Sequence, residues 1–184
     1  MIGPFEDGTP AAGYDDDHAG VSGYRTDEVL ANVEGWLDSL LALPATESFV
    51  LMHIGTNDIA QNKNLDAAVA NVSSIIDAID AHDSQTTIFV ALIIPYPGST
   101  LVYERTNNYN VKLAAMLAAY DKNNLVVVDM NGKFEAAYAD FAEDAAASRV
   151  PSQYYANLAH PNVDGYALMA ECWTEAINAW RHSP

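Results

Sequence analysis

The chain has 184 residues, 50% of them apolar, and 25 acidic against 8 basic side chains give it a formal charge of −17. That length lies within the range of one domain able to bury a continuous core. The acidic balance argues against nucleic acid and anionic membrane as partners, because both require clusters of Lys and Arg that neutralise phosphate.

A small neutral substrate suits this charge better. Cys172 is the only cysteine, so neither an intrachain disulfide nor a thiol metal cluster is expected. No apolar run approaches the roughly 20 residues that span a bilayer. Met1 to Phe5 is not a charged segment leading into an apolar one, so the chain reads as soluble and without an export signal, its compartment undetermined.

In chain order, "YDDDHAG" at residues 14–20 comes first. Asp15, Asp16, Asp17 and His18 have the chemistry to hold a hard cation such as calcium, but their spacing is not that of an EF-hand and a solvated acidic loop is the favoured reading. No bound metal or cofactor is therefore expected. Next, "HAGVSGYRTDEV" at 18–29 is a Gly-rich turn feeding a helix, where Gly20 and Gly23 let the backbone approach a ligand. Its N–H groups near a helix start suit developing negative charge; a tight loop with a helix cap is the plainer alternative. The following helix is predicted from Asp27 to Leu43, with Thr26 as N-cap and Val29, Val33, Trp36, Leu37, Leu40 and Leu41 on one face.

Strands are predicted over Phe49 to Ile54, Thr87 to Pro95 and Leu125 to Asp129. Helices are predicted over Leu65 to His82, Tyr109 to Tyr120, Phe134 to Phe141 and Asp164 to Arg181. This alternation implies a single α/β domain over residues 1–184, a parallel sheet covered by helices on both faces. In open sheets of this kind ligands bind outside the carboxyl ends of the strands. Asn57, in "MHIGTNDI" at 52–59, lies just beyond such an end, and Asp58 beside it is read as bonding its own turn amides. His160 in "NLAHPNVDGYALMA" at 157–170 sits in a loop directly before the last helix. Taken alone, it is most simply a loop histidine.

Together and in this order, the three pieces resemble the SGNH hydrolases, or GDSL esterases, a family with a flavodoxin-like fold. Gly23 in "VSGYR", Asn57 in "GTND" and His160 in "HPN" match its second, third and fifth blocks. The resemblance implies that the Gly23 N–H and the Asn57 side chain form an oxyanion hole and that His160 is the general base. "IGPFEDG" followed by "YDDDHAGVSGYR" looks like the carbohydrate esterase family 3 branch, which removes acetyl groups from xylan. The implied substrate is a small ester or acetylated carbohydrate. Tyr24, Tyr96, Tyr154 and Tyr155 are candidates for stacking on sugar rings.

The sequence departs from the family twice. The Gly-Asp-Ser block that carries the nucleophile has no counterpart, and Met1 to Pro4 resemble the family's second strand, so its first strand is expected to be missing. Asn157 stands three residues before His160, where the family usually has Asp. Three sources of a nucleophile follow: Ser22 displaced into the Gly23 turn, water activated by His160, or another chain. The alternative is an inactive remnant that binds ester or sugar ligands. A lost central strand would expose backbone edges, leaving two outcomes: the remaining sheet closes up, or a second chain covers the gap in a homodimer.

Overall fold

The computed structural model describes residues 5–6, 17–40 and 47–182. Two short strands, β1 (Phe5–Glu6) and β2 (Asp17–His18), pair antiparallel. The main sheet is parallel, in the order β3 (Phe49–Met52), β4 (Thr87–Ala91), β5 (Leu125–Val128). Register runs Val50 beside Ile88 and Ile88 beside Leu125. All residues of β4 are buried, which is why its sequence is continuously apolar rather than alternating.

Helices cover both faces, as the alternation implied. α1 (Thr26–Leu40), α3 (Leu65–His82) and α4 (Thr100–Leu117) enclose one core with Val33, Val72, Ile76, Val90 and Leu113. On the other face α5 (Met130–Ala137), α6 (Phe141–Ala146) and α7 (Val163–Arg181) pack with Phe89, Phe134 and Phe141. Fully burying each such side chain is worth roughly 1.5–3 kcal/mol, and Phe49, Phe89 and Trp180 meet edge to face as well.

The differences from expectation lie where polar contacts outweigh periodicity. α4 starts at Thr100 rather than near Tyr109, because the Ser99 side chain accepts the Val102 N–H and starts the helix ahead of its apolar stripe. One helix expected over Phe134 to Phe141 is two: Asp129 caps α5 through the Gly132 N–H, and the chain breaks at Tyr138. A short α2 (Thr56–Ala60) follows β3, which stops at Met52, and β4 stops at Ala91. Leu41 to Leu43, Met1 to Pro4, and Asp15 and Asp16 of the acidic loop lie outside the described residues.

Candidate active site

The segment after β3 is held at every turn. His53 Nε2 accepts the Ile94 N–H at 3.3 Å, joining the ends of β3 and β4. Burial pushes the His53 imidazole down to about 4, so it is neutral and able to accept. Gly55 has φ +124°, and a Cβ there would lie 2.5 Å from the Tyr109 ring, whose hydroxyl donates to the Ile54 carbonyl at 3.0 Å. Only glycine fits this close approach.

Asn57 is the second residue of α2, and its Nδ2 donates to the Tyr24 carbonyl at 2.9 Å. Asp58, 2% exposed, accepts the Thr26 N–H at 3.0 Å and the Thr26 Oγ1–H at 2.8 Å. Asn71 Nδ2 adds a bond to Thr26 Oγ1 at 3.1 Å. This corrects two expectations. Asp58 bonds no amide of its own turn but reaches the start of α1, and Thr26 spends its hydroxyl on Asp58 instead of capping α1. Glu28 Oε2 supplies the local brace, accepting the Arg25 N–H at 2.9 Å.

That pairing holds the Gly23 turn against Asn57. The Tyr24 N–H donates to the Val21 carbonyl at 3.1 Å, and Gly23 has φ +80°, the value of the third residue of a type II turn. Among the described residues the exposed Gly23 N–H has no partner, which leaves it able to donate to a ligand. The second hydrogen of the Asn57 amide is likewise uncommitted there.

The loop bearing His160 is tied to the same edge of the sheet. The buried Tyr155 hydroxyl donates to the Pro95 carbonyl, just beyond the end of β4, and the Ala156 N–H donates to the His160 carbonyl at 2.9 Å. Asn157 Oδ1 accepts the N–H groups of Ala159 and His160, each at 3.0 Å. Two backbone donors on one atom identify it as the oxygen, because the amide nitrogen cannot accept. That oxygen also lies 3.0 Å from His160 Nδ1, which must then carry its hydrogen. The lone pair is left on Nε2 of an exposed ring.

The expected residues thus form two pairs. Gly23 and Asn57 meet through Tyr24, and Asn157 orients His160. Asn57 follows β3 and the loop bearing the second pair is tied beyond the end of β4 through Tyr155, but no hydrogen bond joins His160 to Ser22, Gly23 or Asn57 among the described residues. Tyr155 is core rather than a stacking platform, and Tyr154 packs against Phe134. His53, Tyr109 and the Thr26–Asp58 pair were not singled out from sequence as supports; the position of His53 inside "MHIGTND" was the one local signal.

A three-stranded parallel sheet with helices on both faces defines an α/β protein of the open-sheet kind, in which ligands bind outside the carboxyl ends of the strands. The chain belongs to the GDSL-like lipase/acylhydrolase family, whose profile matches residues 5–168. A carbohydrate esterase family 3 protein from Talaromyces cellulolyticus shares the fold with a TM-score of 0.75 and 21% identity, over 100% of this chain and 83% of its own. A family 3 carbohydrate esterase from Clostridium thermocellum gives a TM-score of 0.71 and 25% identity over 98% and 78% of the respective chains. In sequence, a multidomain esterase from Ruminococcus flavefaciens is 24% identical over 179 residues, covering 91% of this chain and 21% of its own. The chain therefore spans about a fifth of the length of that curated relative.

Proposed function

We propose that this chain is a carboxylic ester hydrolase for short-chain or acetyl esters, acetylated carbohydrate among them. What supports this reading most is the tautomer of His160: Asn157 Oδ1 takes the Nδ1 hydrogen and leaves Nε2 as a base. Water gives its proton to Nε2 as its oxygen bonds to the acyl carbon, and the Gly23 N–H and Asn57 amide receive the resulting oxyanion. The intermediate then collapses, the ester C–O bond breaks, and the proton passes from the imidazolium to the leaving alcohol.

Asn157 orients the ring but brings no negative charge to the imidazolium. In a serine protease triad the equivalent amide lowers turnover by about four orders of magnitude, so turnover here is expected to be slow and best on activated esters. Attack by Ser22, or by a nucleophile from another chain, is the competing route. The second reading, an inactive remnant that binds ester or sugar ligands, is favoured by one observation: no hydroxyl is bonded to His160 among the described residues.

Hydrolysis of p-nitrophenyl acetate by the wild-type chain, His160→Ala and Ser22→Ala decides between them. Turnover lost with His160→Ala and kept with Ser22→Ala is the expected result. Equal rates in all three proteins would overturn the hydrolase reading, and loss with Ser22→Ala would transfer the nucleophile to that serine.

A further inference from the structure

α4 and α5 leave an open groove of about 370 Å3 above Leu92. Tyr103, Asn107 and Val111 line it from α4, one helical turn apart, and Asn131 and Glu135 face them from α5. The base is braced by Asn110, which accepts the Ile93 N–H at 2.9 Å and donates to the Ile93 carbonyl at 2.8 Å. Asn131 Nδ2 donates to that same carbonyl at 3.0 Å. Among the described residues its Oδ1 and other N–H have no partner. The Tyr103 hydroxyl donates to Glu135 Oε1 at 2.8 Å and leaves the second carboxylate oxygen open.

The chemistry of these groups narrows the ligand. No Lys or Arg is among the lining residues, so an anion has no counter-charge. One carboxylate already holding a phenol hydrogen is a poor cation site, and burial raises the Glu135 carboxyl above the ordinary carboxylate range. Amides that donate and accept, beside an acceptor oxygen and an aromatic wall, match groups that also donate and accept. Alcohol hydroxyls are such groups.

We propose that this groove binds a neutral, hydroxyl-rich ligand of one or two sugar rings, with Asn131 and the open oxygen of Glu135 taking its hydroxyls beside Tyr103, which Asn107 braces. The ligand class deepens the hydrolase reading and rests on it for the choice of a xylan-derived probe, but binding needs no turnover. The groove's volume falls within the range of about 300–1,000 Å3 typical of small-molecule sites.

Titration of the isotopically labelled chain with xylobiose, followed by amide NMR, tests it. Saturable shifts are expected at residues 103–111 and 131–135, with Kd on the order of 1 mM. Asn131→Ala, which leaves Ile93 its bonds to Asn110, and Glu135→Gln, which keeps an acceptor for Tyr103, should each weaken binding by about 10-fold with melting unchanged. The proposal is overturned by shifts confined to the His160 and Asn57 loops, by unchanged affinity in both variants, or by glycerol shifting the same amides equally. Because His160→Ala should leave xylobiose binding intact, failure of the hydrolase reading and failure of the groove read out separately.

Discussion

His53 sets a pH limit on the corner that carries Asn57. Its Nε2 is the acceptor for the Ile94 N–H, and protonation would turn that acceptor into a second donor facing the first. The folded imidazole titrates near 4, whereas an unfolded one titrates near 6.5. Between those values the unfolded chain binds a proton that the folded chain does not, so stability falls as pH drops from 6.5 towards 4 and this contribution levels off below. The full window is worth up to about 3 kcal/mol. Urea unfolding of the wild type and His53→Gln at pH 6.5, 5.5 and 4.5 isolates this contribution, because the carboxylates are common to both proteins and glutamine still offers an oxygen to Ile94. The wild type should lose stability more steeply; parallel pH profiles would mean that His53 does not bind Ile94 as a neutral ring.

At the scale of elements, the β3–α2 corner depends on one close contact between backbone and ring. An alanine at Gly55 would have to hold φ +124° and displace the Tyr109 ring, which is fully buried and bonded to Ile54. Gly55→Ala is expected to cost about 2–4 kcal/mol in denaturant unfolding, combining backbone strain with overpacking. A loss under about 1 kcal/mol would mean that Tyr109 moves aside easily and does not clamp the corner. The same corner marks how far the sequence could be read. β4 was legible because both its faces are buried and its residues are continuously apolar, and α3 because Val69, Val72, Ile75, Ile76 and Ile79 recur at helical spacing. The first half of α4 was not, since Glu104, Arg105, Asn107 and Asn108 give no apolar stripe and a single serine cap starts it. Gly23, Asn57 and His160 were legible through their motifs, but nothing local in "GTND" shows a carboxylate reaching Thr26 across 32 residues. Likewise, whether Asn157 faced His160 depended on a loop folding back on itself.

At the scale of the molecule, the open side of β3 sets sheet pairing against net charge. β3 has one strand neighbour among the described residues, β4, and its other edge offers backbone groups to a further strand. Leu51, 40% exposed, lies on the same face of the sheet as Phe49, which packs against Trp180 of α7; Tyr166 earlier in that helix is 54% exposed. An exposed leucine on a strand with one edge unpaired among the described residues favours association with a second copy, while a formal charge of −17 on each copy opposes it. Salt screens the repulsion over about 10 Å at 0.1 M and leaves the apolar contact in place, so dimerisation should strengthen as salt rises. Sedimentation of the wild type and Leu51→Lys at low and high salt tests this. A salt-promoted dimer that the lysine abolishes is the expected outcome, since a charge on an edge strand disfavours both strand pairing and apolar contact. A monomer at both salt concentrations that still melts cooperatively would show that the second edge of β3 does not recruit another copy.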